Sequence, residues 1–341
     1  MTMMCMALVA VFLAAAILLR DAKGKTASFF DLSATSAMRG FWCLIIALVH
    51  VPEEYQNPLQ DLMGSFAYIG VTFFFMTSGY GLMLGVRKNG AQSMTKGFWR
   101  KRLPKLLVPL LLVNIAHCAA VFVMEGKFEP LLLIGITGFV RQLLLFYFLT
   151  WLVFVALRPL SDGKKMAIVC VLVGLVSIAL YVCSEQTLFA WPVESLGYLY
   201  GILLAMFSKP FCEKMQKKWM FKCAVLCIAA IGFGVAYLKF KELAVVGDYA
   251  LKALLGAALT VFILAVNVTF SLSNAVSRFL GRISYEVYLI HGLVFTCLQT
   301  AYAPWNSGVY ILCSLLVTVA AAAAVNGLSS VLLRLFKRRE R

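Results

Sequence analysis

Eight ionisable side chains fall within otherwise apolar stretches: Arg39, His50, Lys105, His117, Glu194, Lys252, Glu286 and His291, which include all three histidines of the chain. An ionisable group in such a setting is costly to bury, so each is first read as functional. Arg39 and His50 are eleven residues apart. On one helix that spacing is about 20° from whole turns, so both face the same way, about 16 Å apart along the axis. A guanidinium at one end of such a track suits phosphate. A buried neutral imidazole at the other suits removal of a hydroxyl proton. The competing reading is an orienting cation plus a structural histidine, and spacing alone leaves the two level.

Ser284, Tyr288 and His291 lie at i, i+4 and i+7, one helical face, with Tyr285 beside them. Glu286 follows Arg282 by four residues, and the favoured reading is a surface ion pair between them. In residues 73–81, FFFMTSGYG, Gly79 and Gly81 permit close approach of a helix or a ligand, with packing preferred. The densest basic run holds Arg87, Lys88, Lys96, Arg100, Lys101, Arg102 and Lys105. It is able to hold phosphates, and contact with lipid headgroups is the plainer alternative. His117 and Glu194 lie toward the opposite side, where they are able to flank an acceptor site, with satisfied structural roles the favoured reading. Among the ten cysteines, Cys223 and Cys227 share a helical face, but no second pair completes a zinc set, so apolar packing is expected.

These groups need elements to carry them. The chain has 341 residues, 62% hydrophobic and only 13% charged, whereas soluble domains carry about a quarter charged residues. Soluble and disordered classes are excluded, and one membrane bundle using the whole chain is expected. A bilayer-spanning helix needs about 20 mostly apolar residues. Eleven stretches qualify: 3–19, 37–51, 62–86, 103–124, 143–157, 166–183, 193–207, 219–238, 249–270, 283–303 and 308–336. The three shortest, 37–51, 143–157 and 193–207, are expected to extend into their flanks or to lie inside the bundle. Residues 131–140 are too short to span and read as an interfacial or re-entrant lead-in.

The net charge of +16 is first an orientation device. Loops at 20–39, 87–105, 158–165, 209–222, 278–282 and the tail 334–341 hold 26 of the 31 Lys and Arg, leaving Lys127, Arg141, Lys239, Lys241 and Lys252. This bias places the C-terminus in the cytoplasm and, with eleven spans, the N-terminus outside. A nucleic-acid partner would need a basic groove on a soluble domain, which the chain lacks. Residues 1–5 have no basic n-region, while Arg20, Lys23 and Lys25 follow the first span. That span is read as a retained helix.

Taken together, the pieces resemble the integral-membrane acyltransferase 3 family. The family's Arg, ten residues, His spacing is met by Arg39 and His50. Its FFFxxSGY phrase is met by residues 73–80, and its basic stretch before a proline-containing helix by residues 100–109. The aromatic stretch 146–149, FYFL, resembles a WFL-type phrase, and residues 281–291 read GRISYEVYLIH against GxISYxxYLxH. The resemblance covers roughly residues 36–336. One departure is Lys105: the family usually has Arg, two residues, Arg, and here the stretch reads Arg102-Leu103-Pro104-Lys105. Lysine keeps the charge and loses the fork geometry.

The resemblance implies an all-α, polytopic membrane helix bundle. Ten family-core transmembrane helices lie in 36–341, and an extra N-terminal helix and cytoplasmic loop lie in 1–35. It implies acyl transfer, most often acetyl, from cytoplasmic acyl-CoA as co-substrate to a hydroxyl of a cell-envelope carbohydrate or lipid-linked glycan. Membrane lipid and the carbohydrate acceptor are the partners, no metal is needed, and a bacterial plasma (inner) membrane is the setting. His50 and His291 are the expected catalytic residues, with His50 acting as base or as acyl relay. Arg39, Arg100, Arg102 and Lys105 are expected to bind the donor. Ser78, Tyr80, Ser284, Tyr285 and Tyr288 are expected to line the track. No extracytoplasmic domain is expected at either end, so the chain acts alone or with a separate partner. The rival expectation is a transporter or flippase of an envelope precursor, although no inverted repeat is visible.

Overall fold

A computed structural model describes residues 29–56, 58–183, 191–270, 273–301 and 306–338. The span expected at 3–19 lies outside the described residues. Within them the chain is helical, without strands. The principal helices are α1 (Leu32–Val49), α2 (Tyr68–Asn89), α3 (Phe98–Glu125), α4 (Gly138–Ala156), α5 (Asp162–Val182), α6 (Leu196–Gln216) and α7 (Trp219–Phe240). They continue as α8 (Lys252–Thr269), the short α9 (Ala275–Arg282), α10 (Ser284–Ala301) and α11 (Ser307–Arg338). The other ten expected spans each coincide with one of these. The short spans do extend into their flanks, as in α1 and α4. The stretch 131–140 divides into a 3-10 turn, Pro130–Ile134, and the start of α4. Asn114 of α3 holds that turn by donating to the carbonyls of Leu133 and Gly135.

Eight helical segments are long and apolar enough to cross a membrane. α6 and α10 fall outside that set because α6 ends on Lys209, Glu213 and Lys214, and α10 carries Glu286 and His291. α1 and α2 are apolar nearly all round and mostly buried, so they form the centre of the bundle. α7 exposes Phe221, Ile228, Ile231 and Val235, an apolar face with lipid as its natural solvent.

Two close crossings fix the central helices. A Cβ on Gly197 or Gly201 of α6 would collide with the backbone carbonyls of Thr72 and Met76 on α2. Gly79 likewise meets the Tyr198 carbonyl, whereas a Cβ on Gly81 would meet nothing within 4 Å. Of the two glycines in residues 73–81, Gly79 therefore serves close helix packing and Gly81 does not. The second crossing seats α9 on α1, where Gly40 abuts Ser277 and Gly281 abuts Ser36. Arg87 ties the basic end of α2 to the Ala205 carbonyl of α6. At the opposite end, Tyr55 stacks on Tyr310 with centroids 3.9 Å apart.

Candidate functional site

The track begins on α1. Asp31 caps this helix by accepting from the Ala34 amide at 2.9 Å, so the helix starts at Leu32. Arg39 therefore lies about 10 Å inside the helix rather than in the loop before it. His50 is the C-cap residue of the same helix. Its neighbour is His291 of α10, with ring centroids 5.0 Å apart and an edge-to-face tilt of 61°. The structure thus brings together the two histidines that the sequence offered separately.

Each ring is held the same way. His50 Nδ1 is 2.6 Å from the Ile46 carbonyl, and His291 Nδ1 is 3.1 Å from the Val287 carbonyl. A carbonyl only accepts, so Nδ1 must donate in both rings. In the neutral imidazole the lone pair then sits on Nε2, the form needed to take a proton from a hydroxyl. His50 is exposed and His291 only 9% exposed, so a substrate meets His50 first. Tyr288 and Phe295 stand beside His291, with centroids 6.2 and 5.8 Å away, and Phe139 packs edge-on against Tyr288.

The inner end of the track is charged. Arg39 Nε is buried and has no hydrogen-bond partner. Glu286 of α10 is 4% exposed, and its Oε1 accepts from Asn326 Nδ2 of α11 at 2.9 Å. Its Oε2 is buried and unpartnered. The expected Glu286–Arg282 surface pair does not form. α9 ends at Arg282 and α10 starts at Ser284, so the two residues stand on different helices and the i, i+4 spacing does not apply. Arg282 is exposed, with its guanidinium over Phe279.

The expected donor-binding cations divide into two groups. Arg102 turns over Phe98 and Tyr147, 6.0 and 5.6 Å from the ring centroids. Arg100 and Lys105 instead line an open groove of about 920 Å³ between α3 and α11, with Lys101, Leu333 and Phe336. The expected track-lining residues also divide. Tyr288 stands next to His291. Tyr285 donates to the Leu106 carbonyl at 2.9 Å and so joins α10 to the basic end of α3. Ser284 donates to Gly281, and Ser78 donates to Phe74 of its own helix. Tyr80 packs on Phe30 at 5.4 Å. Neither Ser78 nor Tyr80 is joined to the histidine pair.

His117 is exposed on α3 and takes part in neither cluster. Glu194 is 2% exposed and pairs with Lys252 at 2.6 Å, with the ammonium 4.7 Å from the Tyr68 ring centroid, which is the expected structural arrangement. Cys223 is buried with Met215 and Ala265 in a small apolar cluster, as packing predicts.

A family model described as an acyltransferase domain, that of acyltransferase 3, matches residues 33–327. The chain belongs to this acyltransferase 3 family. The match takes in the histidine pair, Arg39, Glu286 and Asn326, and leaves out residues 1–32 and the last turns of α11. No curated protein and no solved structure matches the chain. Membership in the acyltransferase 3 family, with its multi-pass apolar bundle, makes the molecule a membrane acyltransferase. Sequence reasoning set Glu286 aside and passed over Asn326. A lone asparagine in the apolar run 315–328 was the available signal for the second.

Proposed function

We propose that this membrane acyltransferase moves an acyl group, acetyl in the first instance, from cytoplasmic acyl-CoA to a hydroxyl of a cell-envelope carbohydrate or lipid-linked glycan. The observation that carries the reading is the His50–His291 pair, with both Nδ1 atoms donating to carbonyls and both Nε2 atoms left as bases, on the same helices as Arg39 and Glu286. An acyl donor that enters from the basic end meets Arg39 and Arg102 before it reaches the histidines, with Arg100 and Lys105 at the rim. This direction is the one the 26-to-5 split of cations supports.

In the transfer step, His50 Nε2 takes the proton of the acceptor hydroxyl as its oxygen attacks the thioester carbonyl carbon. The new C–O bond forms, the C–S bond breaks, and the imidazolium returns its proton to the departing thiolate. In the relay version, Nε2 itself attacks the carbonyl and the thiolate leaves; the acyl-imidazolium then passes its acyl group to the hydroxyl oxygen, whose proton goes to the thiolate as the neutral imidazole is restored. His291, buried behind His50, orients the first ring and shares its charge. Tyr288, whose ring stands beside His291, is the donor to the developing oxyanion in this reading.

The test is release of free thiol from acetyl-CoA by purified protein in lipid nanodiscs, supplied with envelope glycan. Consumption that needs the glycan supports the reading. Transport of glycan with no thioester consumed would favour the flippase alternative. Mass analysis of glycans from a deletion strain identifies the acceptor by its loss of one acetyl increment.

A further inference from the structure

Among the buried polar atoms without a partner, two belong to opposite charges on adjoining helices: Arg39 Nε on α1 and Glu286 Oε2 on α10. Neither atom has a hydrogen-bond partner, and no ion pair joins the two side chains among the described residues. In a low-dielectric interior, opposite charges on adjoining helices gain most by closing on each other, and leaving either unsatisfied is expensive. Asn326 secures Glu286 Oε1 at 2.9 Å and so holds the carboxylate in place. What would complete this arrangement is a group that offers an N–H to Glu286 and a carbonyl oxygen to Arg39. An amide has both, and a phosphate has neither an N–H nor any attraction to a carboxylate.

We propose that Arg39 and Glu286 form a seat for the amide-bearing arm of a pantetheine thioester, with Glu286 Oε2 accepting an amide N–H and Arg39 Nε donating to an amide carbonyl. The assignment rests on acyl-CoA as the donor and specifies which part of it this pair reads. The distances along the helices agree in order. Glu286 lies five residues before His291, about 7.5 Å of rise, and Arg39 lies eleven before His50, about 16 Å. In an extended chain, at roughly 1.2 Å per bond, the near amide nitrogen is about 5 Å and the far amide carbonyl about 11 Å from the thioester carbon. The nearer amide then falls to Glu286 and the farther to Arg39. The phosphates continue outward to Arg102 and the groove lined by Arg100 and Lys105.

The experiment uses three donors with the purified full chain: acetyl-CoA, S-acetylpantetheine, which has the amides and no phosphates, and a simple S-alkyl thioacetate, which has neither. Glu286→Leu removes the acceptor at nearly constant volume. The expected result is a rise in KM of about tenfold on both amide-bearing donors, with kcat changed much less. On the alkyl thioester the deficit shrinks to about twofold or less. Glu286→Gln, which keeps an acceptor oxygen, recovers most of the loss.

Equal loss on all three donors, or no loss on any, overturns the proposal, as does a loss confined to acetyl-CoA. If Glu286→Leu does not fold, a Glu286→Gln variant no better than Asn326→Ala on S-acetylpantetheine, with equal deficits on the alkyl thioester, overturns it as well. Wild-type protein that consumes none of the three donors would instead refute acyl-CoA as donor, a result distinct from failure of the seat.

Discussion

Two imidazoles whose Nδ1 atoms are committed to backbone carbonyls are restricted to base or nucleophile chemistry at Nε2, and of the two only His50 is exposed. His50→Ala is therefore expected to lower thioester turnover by about 10²- to 10⁴-fold, the usual contribution of a positioned base. Membrane insertion and thermal unfolding should be unchanged, because His50 caps α1 at an exposed position. Full turnover in the purified variant would end the mechanism. Arg39→Ala is expected to raise the KM for acetyl-CoA at least about tenfold, and Arg39→Lys to recover only part, since an ammonium lacks the guanidinium's Nε donor. An unchanged KM in steady-state assays would remove Arg39 from the donor path. The histidines and Arg39 were legible in the sequence because a bilayer makes every ionisable group conspicuous. Glu286 was misread because the i, i+4 rule presumes a continuous helix, and the break at Ile283 is a tertiary feature in which Gly281 must lie against Ser36.

At the level of the helices, hydropathy located the spans well because each is a long apolar run, while their ends were fixed by groups that hydropathy does not weigh. The Asp31 cap starts α1 five residues before its apolar stretch, and α6 runs on through charged residues to Gln216. Which helix is central was not legible. Composition ranks α7 as apolar as α4, yet α7 faces outward, and burial is decided by where glycines let backbones meet. The α2–α6 crossing supplies a direct test. Gly201→Val forces a side chain onto the Met76 carbonyl and the Tyr80 amide, and is expected to cost about 3 kcal/mol, the upper range for overpacking. Gly81→Ala on the neighbouring turn of α2 meets nothing and should be neutral, or stabilising by up to about 1 kcal/mol through helix propensity. Thermal unfolding of both variants in one detergent compares them, and equal behaviour would mean that the crossing is not tight.

For the whole molecule, the function depends on direction. In the proposed reading, the cations expected to orient the chain and the site that would accept a cytoplasmic thioester lie at the same end of the bundle, with the histidine pair at the far end of α1. A transfer that starts from acyl-CoA and finishes on an envelope glycan needs this polarity, because the donor is confined to the cytoplasm and the acceptor hydroxyl has to reach His50 from within the bundle or from the opposite side. If the basic end faced outward, Arg39 would meet no cytoplasmic donor and the mechanism would fail even with every residue in place. Two native cysteines report on this. Cys183 is exposed at the end of α5 away from the basic loops, and Cys212 is half-buried near the basic end of α6. In otherwise cysteine-free variants on intact cells, a membrane-impermeant maleimide is expected to label Cys183 and to spare Cys212 until the cells are opened. The reverse pattern would place the donor seat outside and rule out cytoplasmic acyl-CoA. The same thiol-release assay on these variants shows whether the labelled protein is still an active enzyme, so that the orientation read is that of the working molecule.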